Sequence, residues 1–142
     1  MARADFYILN GKTTASRFSC FIANKAWTQG NSIYIFTRDP DEARKIDDLL
    51  WTFQDISFLP HALIDNYEDN VPVIIGWSST TPPQADVLIN LTDSIPEGID
   101  GFKRVIAIVA EDKIQREQGR ERYKAYRKLG FEIFNHEITA EM

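Results

Sequence analysis

Residue types that define several common classes of protein are scarce in this chain. Its 142 residues include one cysteine, Cys20, and two histidines, His61 and His136. A lone cysteine excludes a disulfide framework and a paired-cysteine metal or redox motif, and it is typical of a reducing compartment. The two histidines lie 75 positions apart and lack the spacing of metal ligands. We therefore expect a cytoplasmic protein that needs no metal and no cofactor.

Long apolar runs are also missing. No run reaches the roughly 18 to 20 residues of a membrane span. The N-terminal sequence MARADFYIL lacks the basic segment and the long apolar segment of a signal peptide. A hydrophobic content of 44% and an aromatic content of 12% are enough to fill one core. We expect one globular domain over residues 1–142 and no membrane partner.

The motifs of common active sites are incomplete or absent. Gly11, Lys12 and Thr13 resemble the end of a Walker sequence, but Phe6 stands where the first glycine of that sequence would be. No GxGxxG or GxSxG motif occurs. Cys20 lies in an apolar segment, where a buried and inert thiol is expected. A nucleotide-binding α/β enzyme is therefore only the alternative hypothesis, and we expect no active site.

Short apolar strands alternate with helices along the sequence. Thr14 is one of three neighbouring candidate N-caps for a helix that ends near Gln29. Asp39 and Pro40 predict the start of a second helix, which runs to about Leu50. The predicted strands are Asp5–Leu9, Ser32–Thr37, Val73–Gly76, Val87–Leu91, Arg104–Val109 and Phe131–Phe134. This pattern predicts a three-layer α/β/α domain with a mainly parallel sheet, Rossmann-like but without a nucleotide-binding fingerprint.

The segment DKIQREQGRERYKAYRKLGF, from position 112 to position 131, predicts a helix with two different faces. At about 100° per residue, four large functional side chains fall within roughly 60° of one another, with Lys124 at the edge: Arg116, Arg120, Tyr123 and Arg127. The opposite face, which we expect to dock on a core, carries Ile114, Ala125 and Leu129.

This helix also differs in charge from the rest of the chain. From Lys103 to Lys128, nine Lys and Arg residues stand against four Asp and Glu residues, a balance of +5, whereas the whole chain has 16 against 21, or −5. Such a patch on an acidic protein favours a short acidic peptide over a long polyanion. Direct nucleic-acid binding by the helix is a third hypothesis, against which the net charge counts.

The run LLWTFQDISFLPHAL, from position 49 to position 63, is a second candidate surface. Trp51, Phe53 and Phe58 are concentrated where the second helix is predicted to end. Such aromatic density is typical either of a core or of a protein interface, since Trp and Phe are common interface anchors. The residues alone leave both interpretations open.

Several segments of the chain resemble a known family. They are DFYIL at the N-terminus, DLLW followed by SFLPH, the strand DVLINL, and RERYKAYRKLGF near the C-terminus. In this order they resemble the chi subunit family of the bacterial DNA polymerase III holoenzyme, and RERYKAYR is the most specific of them. The resemblance implies a non-catalytic replication adaptor that joins the psi subunit of the clamp loader to single-stranded DNA-binding protein.

The resemblance also implies two binding sites. The site for the acidic C-terminal tail of single-stranded DNA-binding protein is carried onto Val109, Arg116, Arg120, Tyr123 and Lys124. The psi site is carried onto Trp51 and Phe58. We expect Val109 and Tyr123 to bury the apolar end of the tail while the cations pair with its carboxylates. Tight direct binding of nucleic acid is not expected.

Overall fold

A computed structural model of the chain describes residues 3–9, 14–52, 60–64, 71–77, 85–92, 99–110 and 113–138. The side chains of residues 100, 109, 110, 113–119, 122, 137 and 138 are outside this description. None of the helices in these ranges is long and apolar enough to cross a membrane.

The described ranges contain seven strands and three helices. The strands are β1 (Arg3–Leu9), β2 (Ile33–Thr37), β3 (His61–Leu63), β4 (Val73–Trp77), β5 (Val87–Asn90), β6 (Arg104–Ala110) and β7 (Glu132–Ile138). The helices are α1 (Ala15–Thr28), α2 (Pro40–Thr52) and α3 (Lys113–Lys128). The strands form one sheet in the order β3-β4-β2-β5-β6-β1-β7, and all of its strand pairs are parallel. The predicted α/β fold class is confirmed.

The direction of each crossover decides which face of the sheet its helix covers. The connections from β1 to β2 and from β2 to β3 run toward one end of the sheet, whereas the connection from β6 to β7 runs toward the other end. Crossovers of one hand therefore place α1 and α2 on one face and α3 on the opposite face. The contacts agree, because α1 and α2 lie chiefly over the five strands from β3 to β6 in sheet order, and α3 packs on β6 and β7.

Two buried clusters fill the space between these layers. The cluster under α1 and α2 includes Phe18, Ile35 and Ile46, and the cluster under α3 includes Phe6 and Tyr126. Successive residues of β2 alternate between the two clusters, as the period of a strand requires. Both faces of the central strands are therefore buried, which explains why these strands read as continuous apolar runs.

The predicted helix boundaries follow from local hydrogen bonds. Thr14 is the N-cap of α1, and its Oγ1 accepts a hydrogen bond of 3.2 Å from the backbone N–H of Arg17. At the start of α2, Asp39 Oδ1 accepts a hydrogen bond of 2.8 Å from the backbone N–H of Glu42. The carboxylate of Glu42 in turn accepts one of 3.1 Å from the backbone N–H of Arg38. These bonds satisfy backbone donors that the helices leave unpaired.

Cys20 has the environment that the sequence predicts. It lies on α1, within the cluster under α1 and α2, and is fully buried. Burial raises the pKa of its thiol to about 12. The thiolate, which is the reactive form, is therefore scarce at neutral pH.

Strand β3 was not predicted from the sequence, and β7 is longer than predicted. Strand β3 has only three residues and follows Pro60, so it gives no periodic signal. Strand β7 continues four residues beyond the predicted end at Phe134, to Ile138. Polar residues such as Asn135 and His136 interrupt the apolar run there. This pattern suits a strand at the end of the sheet, and β3 and β7 are the two end strands.

Candidate functional site

The basic helix α3 begins beside the point where the chain changes direction across the sheet. Strands β1 and β6 are neighbours, but β1 leads to a helix on one face and β6 leads to α3 on the other. The carboxyl ends of such a pair form a topological switch point, where open α/β sheets commonly place binding sites. Val109 lies near the end of β6, and Arg116 lies in the first half of α3. The side chains of both residues are outside the described part of the structure.

Tyr126 anchors α3 to the sheet. Its side chain is completely buried, and its ring makes edge-to-face contacts with Phe6 at 5.7 Å and with Phe131 at 5.6 Å between centroids. The Tyr126 hydroxyl accepts a hydrogen bond of 3.0 Å from Nδ2 of Asn90, which is also fully buried. This combination of packing and hydrogen bonding fixes the rotation of the helix about its axis.

The predicted docking face of α3 is wrong. Leu129, which was expected in the core, is 57% exposed, and Ala125 is only half-buried, whereas Tyr126 is buried. The side chain of Ile114 lies outside the described residues. Tyr126 takes the inward position because its hydroxyl has a buried partner in Asn90, which helical periodicity does not reveal. The helix is therefore rotated by roughly a quarter turn from the expected orientation.

This rotation places Tyr123 at the margin of the core. Its ring makes an edge contact with Phe6 at 5.6 Å between centroids, and the side chain is half-buried. One part of the ring is thus held by the sheet, and another part reaches solvent. A half-buried phenol can provide one wall of an apolar binding site.

Cations dominate the exposed surface of α3. Arg120 and Lys124, both predicted to bind the tail, are exposed, as are Arg127 and Lys128. Lys124 Nζ lies 3.8 Å from Glu121 Oε1, and both side chains are more than 70% exposed, so this pair is weak and leaves the ammonium group accessible. Tyr123 is therefore flanked in sequence by exposed positive charge.

A depression of about 710 Å³ runs along the same helix. Its described lining consists of Glu121, Lys124, Ala125, Arg127 and Lys128. Lys124 is the one residue shared between this lining and the described part of the predicted tail site. The depression therefore lies beside the predicted site and does not coincide with it.

Two cations counted in the sequence patch have acidic partners elsewhere. Lys103 Nζ lies 3.5 Å from Asp86 Oδ1, and Arg104 Nε donates to Asp5 Oδ2 at 2.7 Å. Lys103 immediately precedes β6, and Arg104 is the first residue of that strand, so both lie at the amino end of β6. Arg104 is thus engaged with a buried carboxylate, whereas Lys103, whose side chain is 83% exposed, keeps an accessible charge at the amino end of β6.

Trp51 forms a separate surface on the other face of the sheet. It lies at the end of α2, and its side chain is 63% exposed. An exposed indole at the end of an otherwise well-packed helix favours the interface interpretation of the aromatic run over the core interpretation. Phe58, the other predicted psi-binding residue, lies outside the described residues.

His61 lies beside Trp51, a contact that the sequence does not indicate. The ring centroids of the two residues are 4.6 Å apart with an interplanar angle of 58°. The His61 side chain is 1% exposed, and its Nε2 lies 3.2 Å from Asp47 Oδ1. Asp47 is four residues before Trp51 on α2, a spacing that could have indicated a shared face but not the involvement of β3. In the described residues, no three His, Cys, Asp or Glu side chains are grouped as a metal site requires.

Comparison with known proteins decides the family. The family described as DNA polymerase III chi subunit, HolC, matches residues 1–134. The chain belongs to the DNA polymerase III chi subunit family. The chi subunit of Pseudomonas aeruginosa is 31% identical over 140 residues, covering 97% of this chain and 98% of that protein. The chi subunit of Escherichia coli is 33% identical over 141 residues, covering 94% and 96% respectively.

The chi fold also resembles that of a protein outside the family. The crystal structure of T4 UvsW matches 97% of this chain and 42% of that chain with a TM-score of 0.70. The sequence identity is 10%, so this likeness concerns the fold alone. Membership of the chi family assigns the chain an accessory role in the DNA polymerase III holoenzyme and hence in DNA replication.

Proposed function

We propose that this chain is a non-catalytic adaptor of the cytoplasmic replication machinery. It binds psi, and hence the clamp loader, through the surface around Trp51 and Phe58. It binds the acidic C-terminal tail of single-stranded DNA-binding protein through α3. The observation that carries the proposal is the exposed cationic surface of α3 beside half-buried Tyr123, on a chain whose net charge is −5.

The chemistry of the tail fits this surface in two ways. Its apolar end packs against the Tyr123 ring and Val109, and its terminal carboxylate pairs with Arg120 or Lys124. The other cations of α3, including Arg116, attract the acidic residues that precede the chain end. Because the rest of the protein is acidic, it repels a long polyanion such as nucleic acid.

A titration with a labelled acidic peptide that ends in phenylalanine tests the tail site. We expect Arg120→Ala to weaken binding about tenfold, since one charge-assisted contact is worth about 1.5 kcal/mol. Arg44→Ala is the matched control, because Arg44 is an exposed arginine on α2, paired with Asp41 at 3.1 Å, on the other face of the sheet. Equal affinities of the wild type and Arg120→Ala at moderate salt would remove the proposed site.

Two further titrations separate the parts of the recognition. Replacing the peptide carboxylate by an amide should weaken binding, and raising the salt concentration should do the same, because exposed charge pairs are screened.

For the second surface, Trp51→Ala should weaken psi binding about tenfold or more. The same variant should leave the peptide affinity unchanged, since Trp51 and α3 lie on opposite faces of the sheet.

A further inference from the structure

We infer that His61 is a positioning residue that holds the Trp51 indole in its binding orientation, with Asp47 fixing the imidazole. The inference rests on the proposed role of Trp51 as an anchor for psi. It assigns the psi surface two polar residues, His61 from β3 and Asp47 from α2, neither of which has to touch the partner.

The geometry brings three side chains from two elements together. Asp47 and Trp51 are one helical turn apart on α2, so they lie on the same face of the helix. The imidazole of His61 contacts both, at 3.2 Å from Nε2 to Asp47 Oδ1 and at 4.6 Å between the ring centroids of His61 and Trp51. The contact therefore joins the last turns of α2 to the end strand of the sheet.

The exposure of the three side chains differs in an informative way. His61 is 1% exposed and Asp47 is 25% exposed, whereas Trp51 is 63% exposed. Burial raises the pKa of Asp47, and attraction to His61 acts in the opposite direction. An imidazole that is 1% exposed, with one nitrogen 3.2 Å from a carboxylate oxygen, is restricted in orientation by the close packing around it. Because its ring lies against the indole, this restriction passes to Trp51.

Restricting an exposed indole matters for binding, not only for folding. Large interface side chains that are free to change rotamer lose conformational entropy when the partner binds. A side chain that is already held in place loses less, so the affinity rises without a new contact to the partner. His61 is expected to contribute in this way, and removing it should weaken psi binding about three- to tenfold.

Fluorine NMR of the full chain labelled with 5-fluorotryptophan reads the indole directly. The chain has three tryptophans and therefore gives three resonances, from Trp27, Trp51 and Trp77. A Trp51→Phe sample identifies the resonance of Trp51. His61→Ala and Asp47→Asn should both shift the Trp51 resonance toward its position in unfolded protein and narrow it. The resonances of Trp27 and Trp77 should stay in place.

Two matched variants separate positioning from a general loss of stability. Leu63→Ala truncates a residue of β3, the strand of His61, that packs on the cluster under α1 and α2. Asp48→Asn removes the exposed charge next to Asp47. Neither should move the Trp51 resonance. Psi affinity, measured by calorimetry, should fall for His61→Ala and Asp47→Asn and should be unchanged for Asp48→Asn.

The outcomes distinguish this inference from the proposed function. An unmoved Trp51 resonance in His61→Ala overturns the inference, whether or not psi binds. A moved resonance with the same psi affinity as Leu63→Ala also overturns it. If the wild type and Trp51→Ala bind psi equally well, the proposed role of Trp51 fails instead, and the resonances still report the contact among the three side chains.

Discussion

At the scale of single residues, Gly76 lets the ring of Tyr34 pack against the backbone of the neighbouring strand. A Cβ atom at this position would overlap Tyr34 Oη and would lie 2.9 Å from both Cε1 and Cζ of the same ring. Tyr34 is completely buried and belongs to β2, the strand that pairs with the strand of Gly76. The Gly76 carbonyl also accepts a hydrogen bond of 2.7 Å from Thr37 Oγ1, so the backbone cannot move away without losing this bond.

Gly76→Ala should therefore destabilise the fold. We expect the free energy of unfolding, measured by urea denaturation, to fall by about 1 to 3 kcal/mol, as for other overpacked cores. Gly101→Ala is the matched control, because no heavy atom of the described residues, its two chain neighbours aside, lies within 4 Å of the Cβ that it would add. If the two variants unfold at the same urea concentration, the ring of Tyr34 does not require a glycine beneath it.

At the scale of secondary-structure elements, one helix carries both an anchor and a candidate binding surface. Tyr126 fixes α3 on the sheet, and Tyr123, three residues earlier, shares the contact with Phe6 but reaches solvent. Asn90 Oδ1 accepts hydrogen bonds from Thr92 N at 2.8 Å and Thr92 Oγ1 at 2.7 Å, which leaves its Nδ2 directed at the Tyr126 hydroxyl. The end of β5 thus determines which side chains of α3 face outward.

Tyr126→Phe tests this anchor. The variant keeps the ring but removes the acceptor of the Asn90 hydrogen bond, so we expect a loss of about 1 to 2 kcal/mol in the free energy of unfolding. Backbone amides of α3 should also exchange with deuterium faster. Tyr123→Phe, on the same helix, is the control and should leave both quantities unchanged. Equal effects of the two variants would show that ring packing alone holds α3.

Much of the fold could be predicted from the sequence because its signals are local. Thr14 and Asp39 cap helices where their residue types predict, and the central strands are continuous apolar runs between those helices. Short β3 was not predicted because its three residues give no periodic signal, and only its pairing with β4 defines it as a strand.

The candidate site was predictable in part for the same reason. Helical periodicity placed Arg120, Tyr123 and Lys124 near one another, and the structure confirms that α3 is a helix through these positions. Periodicity could not show that Tyr126 faces inward, because its partner Asn90 lies 36 positions away. The role of His61 next to Trp51 likewise depends on a tertiary contact between β3 and α2.

At the scale of the whole molecule, a polar cluster centred on Asp5 lies at one end of the sheet. Asp5 of β1 is fully buried there and accepts hydrogen bonds from side chains of two neighbouring strands and of its own. Arg3 binds both of its oxygens at 2.7 and 3.0 Å, Arg104 of β6 donates at 2.7 Å, and His136 of β7 lies at 2.8 Å. One carboxylate thus ties together the three strands at this end of the sheet.

The pKa of Asp5 reflects two opposing effects in this cluster, burial and hydrogen bonding. Burial raises the pKa, but the hydrogen bonds from Arg3, Arg104 and His136 outweigh it, and the pKa is lowered. A carboxyl group with a lowered pKa in the folded protein binds its proton more readily in the unfolded chain. Its contribution to stability is therefore present above its ordinary pKa of about 4, and it is lost as the pH falls through the folded value.

Asp5→Asn should remove this contribution. At pH 7 we expect the variant to lose about 2 to 4 kcal/mol in the free energy of unfolding, because two partly buried arginines lose their charged partner. Urea denaturation from pH 7 down to pH 3 should show the gap between the wild type and the variant narrowing below about pH 4, since the Asp5 carboxyl takes up its proton first in the unfolded chain. Asp41→Asn, which removes an exposed carboxylate paired with Arg44, is the control and should change the free energy of unfolding at pH 7 by less than about 1 kcal/mol. A gap that stays constant down to pH 3 would mean that Asp5 supports the sheet by shape and hydrogen bonding alone, and that its charge has no part in holding β1, β6 and β7 together.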